Sequence, residues 1–149
     1  MTPTGIQIKV VQDRLGLLDR SLRDLRSLPA SSLEEFLGDS RNPAAAESCL
    51  RRGIEALIDV ARHILAKGLG IASLEYAEVA RRAVEHGLIE DRTLGEAFGK
   101  IAKYRNRMAH YYDEISNDEL YGIILHHLGD LEGLAAEFRR AAGRLNKAV

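Results

Sequence analysis

Ile8, Val11, Leu15, Leu18, Leu22 and Leu25 recur at spacings of 3, 4, 3, 4 and 3. That is the apolar stripe one face of a helix presents to a core or to a partner helix. It predicts a first helix over 6–28, with Arg14, Arg20, Arg23 and Arg26 off the stripe and Pro29 ending it. A short helix follows, capped by Ser31 with Glu34 or by Ser32 with Glu35, and ends near Gly38. Asn42-Pro43 reads as an N-cap and first helical residue. The helix it opens runs to Lys67, with Gly68 as the residue past its end. Its expected buried face is Leu50, Ile54, Leu57, Ile58, Ala61, Ile64 and Leu65. Further helices are expected over about 73–86, with Leu74, Ala77 and Val84 inside and Gly87 closing it, and over about 92–112, capped by Asp91. The last, about 117–145, is capped by Ser116 with Glu119 and buries Leu120, Ile124, Leu128, Leu131, Leu134, Ala135 and Phe138.

No segment alternates with period two over a convincing length, and no repeat is visible. Leu (21) and Ala (19) outnumber Val, Ile and Thr together (20), a composition that favours helix over strand. No proline follows Pro43. The short loops make neighbouring helices antiparallel. The expectation is all-α: an up-and-down antiparallel bundle of about five helices, one domain over 1–149 with its core at about 6–140. The first stripe can serve the internal core, a dimer seam, or both.

Charge narrows the function classes. The chain of 149 residues has 21 Lys and Arg against 22 Asp and Glu, for a net charge of −1. That excludes a generally basic nucleic-acid coat protein and a polybasic membrane-surface protein. The longest apolar stretches fall far short of a membrane span. Residues 1–5 carry no basic segment leading into an apolar run, so no signal peptide is expected. The single cysteine, Cys49, excludes an intrachain disulfide and multi-thiolate zinc sites, and fits a reducing cytosol.

Within this neutral chain, residues 92–112 carry five positive charges and one negative, and residues 113–119 then carry four negatives. A local basic helix end is what a phosphodiester site needs. Charge alone is the weaker signal, because solvated charged faces are common. Spacing adds to it. Arg105 and Tyr112, seven apart, share a helical face, and Asn106 and His110, four apart, share the adjacent one. A histidine exchanging protons near neutrality beside a permanently charged guanidinium suits RNA transesterification, in which a base takes the 2′-hydroxyl proton and the oxygen attacks phosphorus. Arg105 would stabilise charge on the phosphoryl oxygens, and no metal or other cofactor is required.

Arg105-Asn106-x-x-x-His110-x-Tyr112 resembles the Arg-x4-His-x-Tyr motif of HepT-like toxins, a branch of the HEPN superfamily. Residues 53–63, 74–77, 86–89 and 99–104 also resemble that family's stretches in the same order, so the likeness covers about 6–140. It implies a cytoplasmic, metal-independent endoribonuclease toxin, homodimeric, with the motifs of both protomers lining one cleft. It also implies a nucleotidyltransferase antitoxin of the MntA type, which transfers AMP from ATP to the motif tyrosine, here Tyr112. Carried over, Arg105 and His110 are catalytic, Asn106 orients the site, and Tyr112 contacts RNA and accepts AMP. Arg107 is either a second phosphate contact or a surface charge. Tyr111, adjacent to Tyr112, leaves the choice of modified tyrosine open.

Other residues have blander readings. Glu55, Asp59 and His63, spaced four apart, form a polar strip that is solvated or interhelical, or else buttresses the Arg105/His110 cleft. His126 and His127 point about 100° apart and cannot chelate one metal as an i,i+4 pair would; one is expected to face the bundle and one the solvent. His86 sits where a helix C-terminus favours it, and Cys49 reads as a packed residue. Two alternatives to a nuclease remain: a non-catalytic HEPN module that binds nucleotide or RNA or docks onto a nucleotidyltransferase, and a purely structural bundle.

Overall fold

The computed structural model describes residues 5–72, 75–109 and 115–147, the side chain of Lys147 excepted. Among them are seven helices: α1 (Ile8–Arg26), α2 (Leu33–Leu37), α3 (Arg41–Leu69), α4 (Tyr76–Glu85), α5 (Arg92–Ala109), α6 (Asn117–His126) and α7 (Leu128–Lys147). The all-α class is as expected; the helix count exceeds the expected five. The short helix expected before Gly38 is present as α2. The added element comes from a break at His127, whose backbone leaves helical geometry at φ −121° and ψ 0° and divides the expected last helix into α6 and α7. The apolar stripe runs straight across that break, with Leu120, Ile124, Leu128, Leu131, Leu134, Ala135 and Phe138 all buried, so periodicity alone did not reveal it.

The central element is α3, which packs against each of the other six helices. That explains why it buries the whole expected face and also Ala46, Cys49, Ala56 and Val60 around it. The stripe of α1 is spent inside the chain: Val11, Leu15, Leu18, Leu22 and Leu25 are buried against α3 and α7. These helices run antiparallel to α1. At one end Gly5 N–H donates to Lys67 O (3.1 Å). Further along, a Cβ built on Gly53 would lie 3.2 Å from Leu18 Cδ1. On the other side Arg26 pairs with Glu132 and Arg139 with Asp19.

Several ends follow the expected caps. Ser32 Oγ accepts from Glu35 N–H (3.0 Å), Asp91 Oδ1 from Leu94 N–H (3.0 Å), and Ser116 Oγ from Glu119 N–H (3.1 Å). Gly87, at φ +73°, closes α4. Other ends differ. The residue closing α3 is Gly70, at φ +72°, and Gly68 lies inside the helix against Ile6 and Leu145. Asn42 does not cap α3. Asp39 accepts the Arg41 N–H (2.9 Å), while Asn42 is buried in the first turn and donates to Phe36 O (3.2 Å). The expected face of α4 is also rotated. Ala77 and Val84 are exposed, and the buried residues are Val79, Ala80 and Ala83. Leu74 lies outside the described residues.

Candidate active site

Where α5 sits determines where Arg105 points. Its start is fixed by Glu137 of α7, a buried carboxylate that accepts from Glu90 N–H (3.0 Å) and Asp91 N–H (3.3 Å) and pairs with Arg140 (3.3 Å). Farther along, Phe98 meets Phe138 edge to face at 5.3 Å between centroids, and Ile101 and Ala102 are buried. With that face turned inward, the last turns of α5 carry Arg105 against α3 and the start of α4.

There Arg105 is held on two sides. Its Nη2 lies 3.4 Å from Glu55 Oε1 of α3, and its guanidinium carbon stands 4.1 Å from the ring centroid of Tyr76, the first residue of α4. The Arg105 side chain is 22 % exposed, so the contacts form in a partly desolvated place where charge counts for more than at the open surface. Arg105 Nε is buried with no hydrogen-bond partner. The same tyrosine ring carries a second guanidinium, that of Arg62, at 4.9 Å.

The polar strip of α3 is interhelical at Glu55, which meets Arg105 of α5, whereas Asp59 lies 3.9 Å from Arg62 within α3 itself. Burial pushes the Asp59 carboxyl above its usual range, opposed by the nearby charges of Arg14, Arg62 and Arg105. His63 serves the fold: its Nε2 accepts the Gln7 N–H (3.0 Å) just before α1, and burial together with Lys67 lowers its pKa.

Asn106 borders a cavity of about 380 Å³ that Arg62, Glu75, Tyr76 and Ala77 also line. Arg107 points elsewhere. It forms a two-pronged ion pair with Glu119 (2.8 and 3.1 Å) near the start of α6, and lies 5.8 Å from the Tyr104 ring centroid. Four of the candidate residues are thus placed in one region (Arg105, Asn106, Glu55 and Asp59), and Arg107 is tied to a different helix. His110, Tyr111 and Tyr112 lie outside the described residues. His126 and His127 are both exposed, which corrects the expectation that one faces the bundle; the helix break turns both outward, and His127 Nδ1 meets Asp130 (3.2 Å). Among the described residues no group of three His, Cys, Asp or Glu could hold a metal ion, and no helix is long and apolar enough to cross a membrane.

Sequence reasoning missed Tyr76, Arg62 and Glu137 as parts of this arrangement. Arg62, at i+3 from Asp59 and i+7 from Glu55, shares their face and could have been found from helical spacing. Tyr76 and Glu137 act across long sequence separations and leave no local signal.

A family model described as ribonuclease HepT-like matches residues 18–138. The tRNA nuclease HepT of Aphanizomenon flos-aquae (strain 2012/KM1/D3) is 25 % identical over 118 residues, covering 79 % of this chain and 80 % of that protein. The fold is similar to that of a Shewanella oneidensis HEPN toxin solved tri-AMPylated and in complex with an MNT antitoxin. The TM-score is 0.78 at 21 % identity, over 88 % of this chain and 97 % of that one. It is also similar to YutE from Bacillus subtilis, a cytosolic protein of unknown function, with a TM-score of 0.75 at 16 % identity over 91 % and 90 % of the two chains.

Proposed function

The chain belongs to the ribonuclease HepT-like family, and from that membership and the surroundings of Arg105 we propose that it is the toxin of a toxin–antitoxin pair, a metal-independent endoribonuclease. His110 takes the proton of a ribose 2′-hydroxyl, and the oxygen attacks the adjacent phosphorus. The 5′-oxygen leaves and takes a proton, giving a 2′,3′-cyclic phosphate and a 5′-hydroxyl end. Arg105 stabilises the charge that builds on the phosphoryl oxygens. Asn106 orients the site and Tyr112 contacts the RNA. The toxin works in the cytoplasm as a homodimer whose two motifs share one cleft.

The observation that carries this reading is the state of Arg105. Its guanidinium is oriented by Glu55 and Tyr76 and its side chain stays 22 % exposed, five residues before His110 in the chain. A guanidinium that is preoriented and still partly exposed suits a group whose partner is a substrate. Arg107 belongs to the scaffold in this reading, because Glu119 already takes its guanidinium.

The partner is a nucleotidyltransferase antitoxin of the MntA type, which silences the toxin by transferring AMP to Tyr112. The modification adds bulk and negative charge where an RNA phosphate binds. In support, the similar Shewanella toxin was solved AMPylated beside its antitoxin. Since the Aphanizomenon relative is named a tRNA nuclease, tRNA is the first defined substrate to try.

The test compares wild type with Arg105→Ala and His110→Ala, matched for helicity and incubated with total RNA in EDTA. Cleavage by wild type alone is the expected result. Equal inactivity of all three, with and without added metal, would turn the reading to a non-catalytic docking module for the nucleotidyltransferase.

A further inference from the structure

We propose that Arg62 is a second phosphate-binding residue, which holds the RNA phosphate next to the one that Arg105 engages. The inference rests on the RNA-cleavage reading of the site and adds a subsite to it. Its basis is the sharing of one tyrosine. The guanidinium carbons of Arg62 and Arg105 stand 4.9 and 4.1 Å from the Tyr76 ring centroid, so they are at most about 9 Å apart. One strand can lay successive phosphates against both.

Arg62 is poorly neutralised where it sits. Among the described residues its carboxylate contact is Asp59, at 3.9 Å. By contrast, Arg81 grips Glu78 and Glu85 at 2.7 Å, and Arg107 grips Glu119 at 2.8 Å. Asp59 is also within the influence of Arg14 and Arg105, so three arginines face the two carboxylates Glu55 and Asp59. Two like charges against one ring repel, and an anionic ligand relieves that repulsion; the Arg62 side chain is 36 % exposed and can meet one. There is room for one on the Arg62 side of the ring: Arg62, Tyr76 and Asn106 line the cavity of about 380 Å³ with Glu75 and Ala77. Among the described residues the carboxylate that lines it, Glu75, belongs to an exposed residue.

The experiment uses the full chain carrying His110→Ala, so that RNA is bound without being cut. A fluorescent single-stranded RNA of mixed sequence is titrated at several salt concentrations. Arg62→Gln should weaken binding about tenfold and flatten the log K against log salt slope by about 0.7, the share of one phosphate contact on a single strand. Arg62→Met, which keeps the aliphatic stem against Tyr76, gives the same test if the Gln variant folds poorly. Arg82→Gln removes an arginine already paired with Glu78 and Glu85, and should change neither quantity. Wild-type affinity and slope in the folded Arg62 variants overturn the proposal. If wild type still cuts RNA in that case, the catalytic reading survives without the subsite. If wild type neither binds nor cuts RNA, both fail.

Discussion

The guanidinium of Arg105 lies over the ring of Tyr76, 4.1 Å from its centroid, with Glu55 on its other side at 3.4 Å. This relationship joins three helices, since Glu55 is at the middle of α3, Tyr76 opens α4 and Arg105 is near the end of α5. It makes the direction of one side chain depend on the packing of the whole bundle. Tyr76 is accordingly a positioning residue. Tyr76→Leu should lower kcat for RNA cleavage about tenfold, the kinetic equivalent of one partly desolvated cation–π contact. Tyr76→Phe keeps the ring and should stay near wild type. Equal losses in both variants would assign the effect to the hydroxyl or to general loosening.

Glu137 anchors the start of α5 from α7. Glu137→Leu fills the space but leaves the Glu90 and Asp91 N–H groups without their acceptor. Urea unfolding should show a loss of about 2–3 kcal/mol. A stability unchanged from wild type would mean that the loop finds other acceptors.

His63 makes stability sensitive to mild acid. Its folded pKa is depressed by burial and by Lys67 from an ordinary 6.5, so the unfolded chain takes up its proton first as pH falls. Its contribution is complete above 6.5 and is lost as pH drops through the lower folded value. Melting temperature should fall between about pH 7.5 and about pH 5, and His63→Gln should flatten that fall. A variant with the wild-type profile would place the sensitivity elsewhere.

Gly53 allows α1 and α3 their close approach. A Cβ there would meet Leu18 Cδ1 at 3.2 Å and Ser21 Cβ at 3.3 Å, whereas one at Gly16 meets nothing within 4 Å. Gly53→Val should cost about 1–3 kcal/mol by overpacking. Gly16→Ala should gain about 0.5–1 kcal/mol from helix propensity. Denaturant midpoints that move in the same direction for both would contradict the assigned spacing.

The parts legible in the sequence are those with one strong periodic face. The stripes of α1 and α3, and the stripe running through α6 and α7, were correct because each lies against a large core. The face of α4 was misread because it is short and apolar on two sides, with Ala77 and Val84 on one and Val79, Ala80 and Ala83 on the other. Only packing against α3 and α5 decides between them. At the start of α3, Asp39 outcompeted Asn42 as the N-terminal acceptor, a choice between two adequate residues a few positions apart. Around the site, Arg105, Asn106, Glu55 and Asp59 could be named from motif and spacing. The partners that orient them, Tyr76 above all, come from segments about 30 residues away and depend on tertiary structure.

The most direct measurement of the central claim is the chemistry of the RNA ends. Total RNA is cut by the wild-type protein in EDTA, and the new termini are analysed, with His110→Ala as the blank. The account predicts 2′,3′-cyclic phosphate and 5′-hydroxyl ends from wild type and none from the variant. Termini bearing 3′-hydroxyl and 5′-phosphate, or cleavage that appears only when metal is restored, would contradict transesterification by His110 and Arg105.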